Sequence, residues 1–530
     1  MVTEPPGPCW SGDWATRHGS LRLVRGEYVF ADPSAGAGGV IRDGAVVIER
    51  GRIAASGPWS EVRRTYGDLE PLGSSENRLV LPGLVNAHHH GRGIGTLAMG
   101  IADGPLEVWS PSLMLYRGLD LYTNTLYAVA RMLLSGVTTS IHSHYYVGPP
   151  DGFRESITIP LAAYRDAGAR VGFGVGISDQ HYLAYVSDRV LRDGMPAALA
   201  RDLERWFARS NCYISVDEYM AVFDAVSEWC GREYPLGRLM LSPRGFQWTS
   251  EALLRRVADL ARERRTGVQL HFLETRYQRT YVSRNLVGSA VEALNRAGLL
   301  GPNLSLAHAV WVDEFDADLL AKTGTTLVTN TSSNLRLGSG LIPLRDVLGR
   351  GINVAVGLDS LTLTEDEDMF AEMRLLGAVH RRPGLHAPWP SPYQVLEMAT
   401  VGGARAAGLE GQIGRLRPGY RADVVILDLK RLRGPYVDPR TDVPALALSR
   451  ARAADVDTVL VDGQVLVRNG ALTRIDLREI EARLAEACRA GEEERDHSRR
   501  AFVAQLQEFL RGVYAGWAED PRGSSRPFDG

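Results

Sequence analysis

The sequence predicts an α/β protein: a (β/α)8 barrel with a small β-sandwich domain built from both chain ends and a C-terminal helical extension. Three observations predict it. Short apolar runs alternate with longer stretches of helical period through the middle of the chain, β-meander patterns flank that middle, and His or Asp residues stand where several apolar runs stop.

The barrel occupies 81–415, with strands expected at about 79–90, 137–145, 169–177, 237–243, 267–274, 304–310, 325–330 and 353–359. Helical segments such as 250–264, 286–299 and 391–408 fall between or after them, and the longest insertion is 178–236. Residues 1–80 and 416–470 form the two halves of the β domain. Strand-like runs at 21–24, 45–49 and 52–56 are separated by Asp43-Gly44 and Glu49-Arg50-Gly51 turn signals. Runs at 423–427, 457–461 and 464–468 follow the same pattern, with turns at Asp462-Gly463 and Asn469-Gly470. Residues 471–530 are expected to give a helical cover, with Leu477, Ile480, Leu484 and Cys488 on one face, and a polar tail from Asp520 onward.

Composition narrows the function. Of 530 residues, 45% are apolar and 23% charged, which suits an ordinary globular protein and excludes a disordered or collagen-like one. A formal net charge of -3 supplies no global positive field, so neither nucleic acid nor a membrane is expected as partner. Cys9, Cys212, Cys230 and Cys488 show no ligand spacing and no disulfide framework. With no signal-peptide pattern and no apolar stretch of about 18 residues, the expected location is the cytoplasm.

The chemistry begins at Leu81-Pro82-Gly83-Leu84-Val85-Asn86-Ala87-His88-His89-His90. Side chains alternate along a strand, so His88 and His90 share one face and His89 takes the other, which sets two imidazoles at a separation one metal ion can span. His271 ends the fifth expected strand and Asp359 the eighth, where catalytic groups emerge from such barrels. Nitrogen and carboxylate ligands of this kind suit one divalent ion, Zn2+ first, with Fe2+ or another transition ion as alternatives. Glu274, three residues after His271, has the reach for proton shuttling, and His308 at the end of the sixth strand for holding water or polarising a substrate.

These residues carry a resemblance. The Pro82–His90 run, His271-Phe272-Leu273-Glu274-Thr275, Leu306-Ala307-His308, the stretch Ser333-Asn334-Leu335-Arg336-Leu337-Gly338-Ser339-Gly340 and the Asp359 strand are similar to the amidohydrolase superfamily, in its cytosine-deaminase-like and chlorohydrolase-like branch. The similarity runs from about 21 to 470. It implies metal ligation by His88, His90, His271 and Asp359, proton transfer by Glu274 and Asp359, and substrate or water contact by His308. Two-metal members usually carry a carboxylated Lys at the end of strand four, yet Leu239-Met240-Leu241-Ser242-Pro243-Arg244 has none, which implies a single ion. Leu358 stands where the family usually has Thr, and Thr329-Asn330-Thr331-Ser332-Ser333-Asn334 where relatives often have His or Cys and Pro; neither change touches a ligand.

For the substrate, Glu107 and Trp109 resemble the acidic-aromatic pair of relatives that act on adenosine-like compounds or triazines. Gln247, Trp248 and Asn334 are further pocket candidates, and His142 and His144, a second HxH, are expected to line the pocket rather than bind a second ion. The expected activity is hydrolytic deamination of an amino-substituted nitrogen heterocycle by attack of metal-bound hydroxide, with release of ammonia. Opening of a cyclic amide, displacement of chloride from a triazine, and a non-catalytic scaffold are the alternatives. The resemblance also implies a homodimer or larger oligomer.

Overall fold

The computed structural model describes residues 21–116, 118–180, 183–210, 214–381, 384–385, 389–489 and 495–517. Strands β1 (Arg22–Phe30), β2 (Val40–Glu49), β3 (Arg52–Pro58) and β4 (Arg78–Pro82) come first. β1 pairs antiparallel with β2 and parallel with β4. Arg50 and Gly51, at φ 48° and 74°, turn β2 into β3, as left-handed residues do in a tight hairpin. Asp43-Gly44 is not a turn: it lies inside β2, with Gly44 opposite Gly26. The longer strand prevails because extending the pairing to Phe30 and Val40 buries Val29 and Phe30 completely.

The apolar run expected as the first barrel strand is divided at Gly83. Residues 78–82 join the small domain as β4, and the barrel begins at β5 (Leu84–His89). A Cβ at Gly83 would stand 2.2 Å from Thr138 Oγ1, so the crossing between the two sheets needs glycine. Hydrophobicity alone reads through this break, since both halves are buried.

The barrel continues with β6 (Val137–His144), β7 (Arg170–Ile177), β8 (Gly237–Pro243), β9 (Val268–Phe272), β10 (Leu304–His308), β11 (Thr326–Thr329) and β12 (Val354–Val356), each parallel to its neighbour. β5 and β6 are buried along their whole length, because helices cover the outside of a parallel sheet and side chains fill the inside. The Asp359 N–H donates to His88 O at 2.9 Å, and the Leu358 N–H to Asn86 Oδ1 at 2.9 Å, which ties the last strand to the first. Val85, Ala87, Ile141, Met240, Val328 and Ala355 pack with Ala404 and Ile413 as an apolar group inside. Polar side chains collect at the other, C-terminal, end of the strands.

β13 (Val424–Asp428), β14 (Val456–Val461), β15 (Gln464–Arg468) and β16 (Ala471–Leu472) complete the small domain as one eight-stranded mixed sheet, ordered β16-β15-β14-β13-β4-β1-β2-β3. The two chain ends meet where β4 pairs with β13, Val80 opposite Ile426. The insertion between β7 and β8 carries the helices Asp188–Asp193, Ala197–Ser210 and Val216–Glu233. The helix expected over 286–299 spans only Ala290–Arg296, because Ser289 and Glu292 form a capping box that starts it late. At the C-terminus stand the helices Leu477–Arg489, which buries Ile480 and Leu484, and Arg495–Val513. The polar tail from Asp520 lies outside the described residues. No helix among those described is long and apolar enough to cross a membrane.

Barrel and small domain are joined by a buried ion pair. Arg170, at the start of β7, places Nη2 2.9 Å from Asp423 Oδ1, with both side chains almost wholly buried. The same Asp423 oxygen accepts the Asp462 N–H at 2.9 Å. Arg170→Ala leaves that carboxylate buried without its cation, which should cost about 3–5 kcal/mol of stability. A urea denaturation midpoint unchanged from wild type would refute this role.

Candidate active site

Three imidazoles converge at the C-terminal end of the barrel. The end of β5 and the residue after it turn His88 and His90 inward, and β9 presents His271 beside them. Together with Asp359, just past β12, they offer four ligand atoms within 4.8 Å of one another. His89 faces away: its Nε2 lies 3.0 Å from Glu367 Oε2 and 3.0 Å from Ser360 Oγ.

The hydrogen bonds behind the rings decide where the protons sit. His90 Nδ1 donates to Ser143 O at 2.8 Å, and His271 Nδ1 to Arg244 O at 2.8 Å. His88 Nδ1 donates to Gln269 Oε1 at 2.8 Å, and the orientation of that amide follows from its nitrogen donating to Ala87 O at 2.9 Å. Burial pushes the His90 ring down to about 4 and His271 well below the usual imidazole range, so both are neutral at pH 7. Each Nε2 is therefore left with a bare lone pair.

His90 Nε2 and His271 Nε2 are 3.3 Å apart, and Asp359 Oδ1 lies 3.1 Å from His90 Nε2. His88 Nε2 lies 3.2 Å from the same oxygen, yet is buried with no hydrogen-bond partner. Lone pairs and a carboxylate at such distances repel one another unless a cation lies among them, so the donor set fits a divalent metal held by His88, His90, His271 and Asp359. Ser333 Oγ donates to the other Asp359 oxygen at 2.5 Å and holds the carboxylate in place.

The backbone around the site is forced. Leu273, His308, Ala309, Asp359 and Ser360 all have φ between 43° and 74°, in the left-handed region that side chains other than glycine rarely adopt. A Cβ at Gly357 would stand 2.8 Å from the His88 Cβ, so β12 approaches the first ligand closely only because that position is glycine.

Glu274 and His308 meet beside the ligand group, with His308 Nε2 3.7 Å from Glu274 Oε2. Burial, and after it the charges of Asp359 and Glu107, hold the Glu274 carboxyl well above its usual range, which favours the protonated acid. His308 Nδ1 donates to Asn334 Oδ1 at 2.9 Å and burial brings the ring down to about 4, so the ring is neutral and its Nε2 is an acceptor, with Asn330 Nδ2 3.4 Å away as a donor. Asn334 thus stands behind His308 as its orienting partner, with its own Nδ2 buried and unpartnered.

Glu107 is buried at the loop end of the barrel. Its Oε1 accepts hydrogen bonds from Tyr185 Oη at 3.0 Å and from Thr275 Oγ1, while Oε2 is buried without a partner. The Trp109 ring packs with Met99, Ile101, Leu337 and Leu361, and its Nε1 has no partner. Trp248 packs edge-on to Tyr185, ring centroids 5.7 Å apart, and Gln247 Nε2 and Trp248 Nε1 are buried and unpartnered.

His142 and His144 do not join this group. Along β6 it is Ser143 that turns inward, bonding Ser242 Oγ at 3.0 Å, and Ile141 that packs inside the barrel. The two histidines take the opposite face, packed on Phe173 at 4.6 and 5.3 Å, with His142 also against Tyr164 of the helix Phe153–Ala167. Strand alternation puts them between the barrel and its helices, away from the lumen where a substrate would sit. At the end of β8 the inward position is Ser242, and the chain's two lysines stand at Lys322 and Lys430, far along the sequence from it.

Sequence reasoning missed Gln269, Tyr145 and Tyr185. Gln269 was open to inference, since it is two residues before His271 on the same strand face and polar within an apolar run. Tyr145 Oη, 3.2 Å from His271 Nδ1, and the carbonyls of Ser143 and Arg244 carry no sequence signal, because any residue has a carbonyl and the partners are far apart in the chain.

Comparison with known proteins agrees with this geometry. Residues 79–466 match the model of the amidohydrolase family, and 44–68 that of an imidazolonepropionase-like composite domain of bacteria. The chain belongs to the amidohydrolase family. This amidohydrolase is 32% identical over 463 residues to a 5'-deoxyadenosine deaminase of Methanothermobacter thermautotrophicus, covering 86% of this chain and 96% of that one. It is 30% identical to a 5-methylthioadenosine/S-adenosylhomocysteine deaminase of Syntrophobacter fumaroxidans, covering 88% and 96%. An adenosine deaminase from Xanthomonas campestris, solved with bound zinc, superposes with a TM-score of 0.70 at 26% identity, covering 91% of this chain and 98% of that one. The family is metal-dependent, and this amidohydrolase is a hydrolase of carbon–nitrogen bonds other than peptide bonds.

Metal analysis of the freshly purified chain should find about one equivalent of a divalent ion, and His271→Ala should lose it. Gln269→Ala, which frees the His88 ring, should weaken binding by roughly 10–100-fold in a chelator competition. Full metal content in His271→Ala would contradict the ligand set.

Proposed function

We propose that this amidohydrolase deaminates an aminopurine nucleoside of the adenosine type, replacing the exocyclic amine with oxygen and releasing ammonia. The observation that carries this reading is the meeting of Glu274 and His308, 3.7 Å apart, beside one four-ligand group that includes Asp359. The deaminase activity of relatives aligned over almost their whole length supports it.

His88, His90, His271 and Asp359 hold a single ion, Zn2+ in the first place, with Fe2+ or another transition ion as the alternative. Ser242 at the end of β8 offers no carbamate for a second one. A bound ion of this kind lowers the pKa of water from its bulk value toward 7, making a nucleophile available at neutral pH.

The chain's own groups move the protons. Asp359, acceptor-only once ionised, takes the proton the nucleophilic water gives up. Glu274 enters protonated and donates to a ring nitrogen beside the amine-bearing carbon; the proton held by Asp359 then passes to the amine, which leaves as ammonia, and the remaining hydroxyl proton of the adduct returns to Glu274 as the product carbonyl forms. His308, its Nδ1–H committed to Asn334, turns Nε2 toward Glu274 as an acceptor that orients the water, exchanging the long 3.4 Å contact from Asn330 Nδ2 for it. The bare Oε2 of Glu107 is an acceptor for sugar hydroxyls, and Gln247 and Trp248 supply unpartnered donors toward the base.

Purified protein loaded with metal should release ammonia from 5'-deoxyadenosine or adenosine, with a product in which OH has replaced NH2. Silence across aminopurine nucleosides, pterins, pyrimidines and triazines would overturn the reading, and a product heavier by one water would mark ring opening. Glu274→Gln should keep its metal and lose on the order of 10²-fold or more in kcat.

A further inference from the structure

The C-terminal helix Arg495–Val513 lies beyond the segment 79–466 that matches the family, yet it reaches the substrate end of the barrel. It is attached on both sides of Glu107. On one side, Gln507 Nε2 donates to Val108 O at 2.8 Å and to Ser112 Oγ at 2.7 Å, clasping the short helix Leu106–Trp109 that carries Glu107. On the other, the Tyr514 hydroxyl accepts the Tyr185 backbone N–H at 3.0 Å, and the rings of Tyr514 and Trp517 pack against Tyr185 at 5.5 and 6.5 Å. Tyr185 in turn donates its own hydroxyl to Glu107 Oε1.

The turn after the helix is anchored as firmly. Thr280 Oγ1 donates to Trp517 O at 3.0 Å, and the Arg284 guanidinium stacks 4.4 Å over the Trp517 ring. Tyr185, Tyr514 and Trp517 are all less than a tenth exposed, so the extension buries its aromatic end against the pocket wall. A carboxylate with one oxygen doubly hydrogen-bonded and the other buried and bare can meet a ligand only where its supports aim it, and the supports of Glu107 are themselves held by the extension.

We propose that the C-terminal extension is a working wall of the substrate pocket: through Gln507 and Tyr514 it positions Glu107, and so sets recognition of the polar sugar part of the substrate. This rests on the nucleoside reading above. Gln507 and Tyr514 are positioning residues, acting through the Glu107 helix and through Tyr185.

The test uses the full-length metal-loaded enzyme with Gln507→Ala, Tyr514→Phe and the double variant. Substrates are 5'-deoxyadenosine and 2',3'-dideoxyadenosine, the second of which has no sugar diol. The double variant should raise KM for 5'-deoxyadenosine on the order of 10-fold while kcat stays within about twofold, and leave KM for the dideoxy compound near the wild-type value. Glu508→Ala, exposed on the same helix, should change neither constant. An unchanged KM, or an equal loss on both substrates, would overturn the proposal. Amide exchange over 106–112 and 183–186 gives a readout independent of turnover, and protection there should drop in the double variant. If wild type turns over neither nucleoside, the functional reading fails and exchange alone decides, unchanged protection then refuting the wall.

Discussion

Three imidazole nitrogens and one carboxylate oxygen within 4.8 Å of one another repel unless a cation lies among them, and much of the surrounding structure exists to keep them there. Each ring spends its Nδ1 proton on a fixed acceptor: a carbonyl for His90 and His271, the Gln269 amide for His88. That commitment removes the other tautomer, which would put a proton in the space the metal needs. The cost appears as left-handed backbone at Leu273, His308, Ala309, Asp359 and Ser360, all at strand ends facing the site. Such backbone persists where packing and hydrogen bonds hold it, and the Asp359 N–H bond to His88 O is one of those restraints.

Around the ligand group, burial acts on two further acids. Glu274 lies among other carboxyls in a water-poor region, which favours its neutral form and suits it to give a proton away. Burial raises Glu107 as well, while its hydrogen bonds from Thr275 and Tyr185 pull the other way and favour the charge. Both carboxyls end above their usual range, with the hydrogen bonds from Thr275 and Tyr185 offsetting part of the burial at Glu107. Neither position depends on a loop alone, since Glu274 stands two residues after β9 and Glu107 is braced by Thr275, one residue further on.

Several features were legible in the residues. Period-two alternation was enough to send His88 and His90 to one face and His89 to the other. Strand ends marked His271, His308 and Asp359, and the absence of Lys at 239–244 bears on how many ions the site can hold. Alternation also carried the information that His142 and Ile141 face opposite ways, but not which of the two faces was the lumen. That depended on how β6 pairs with β5 and β7, where a shift of one residue exchanges the faces.

By itself, then, the sequence determined the alternation of βα units, the Glu49-Arg50-Gly51 turn of the small domain and the identity of the metal-ligating candidates, because these follow from local periodicity and residue chemistry. Only the tertiary structure decided that 78–82 leaves the barrel at Gly83 and that His142 and His144 lie outside the lumen. It also decided that Gln269 and two backbone carbonyls set the tautomers, and that Gln507, on a helix near the C-terminus, donates to the Val108 carbonyl about 400 residues away. Each of those is a contact between segments distant in the chain, where burial and hydrogen-bond geometry arise from the packing of whole elements and leave no mark on any single stretch of residues.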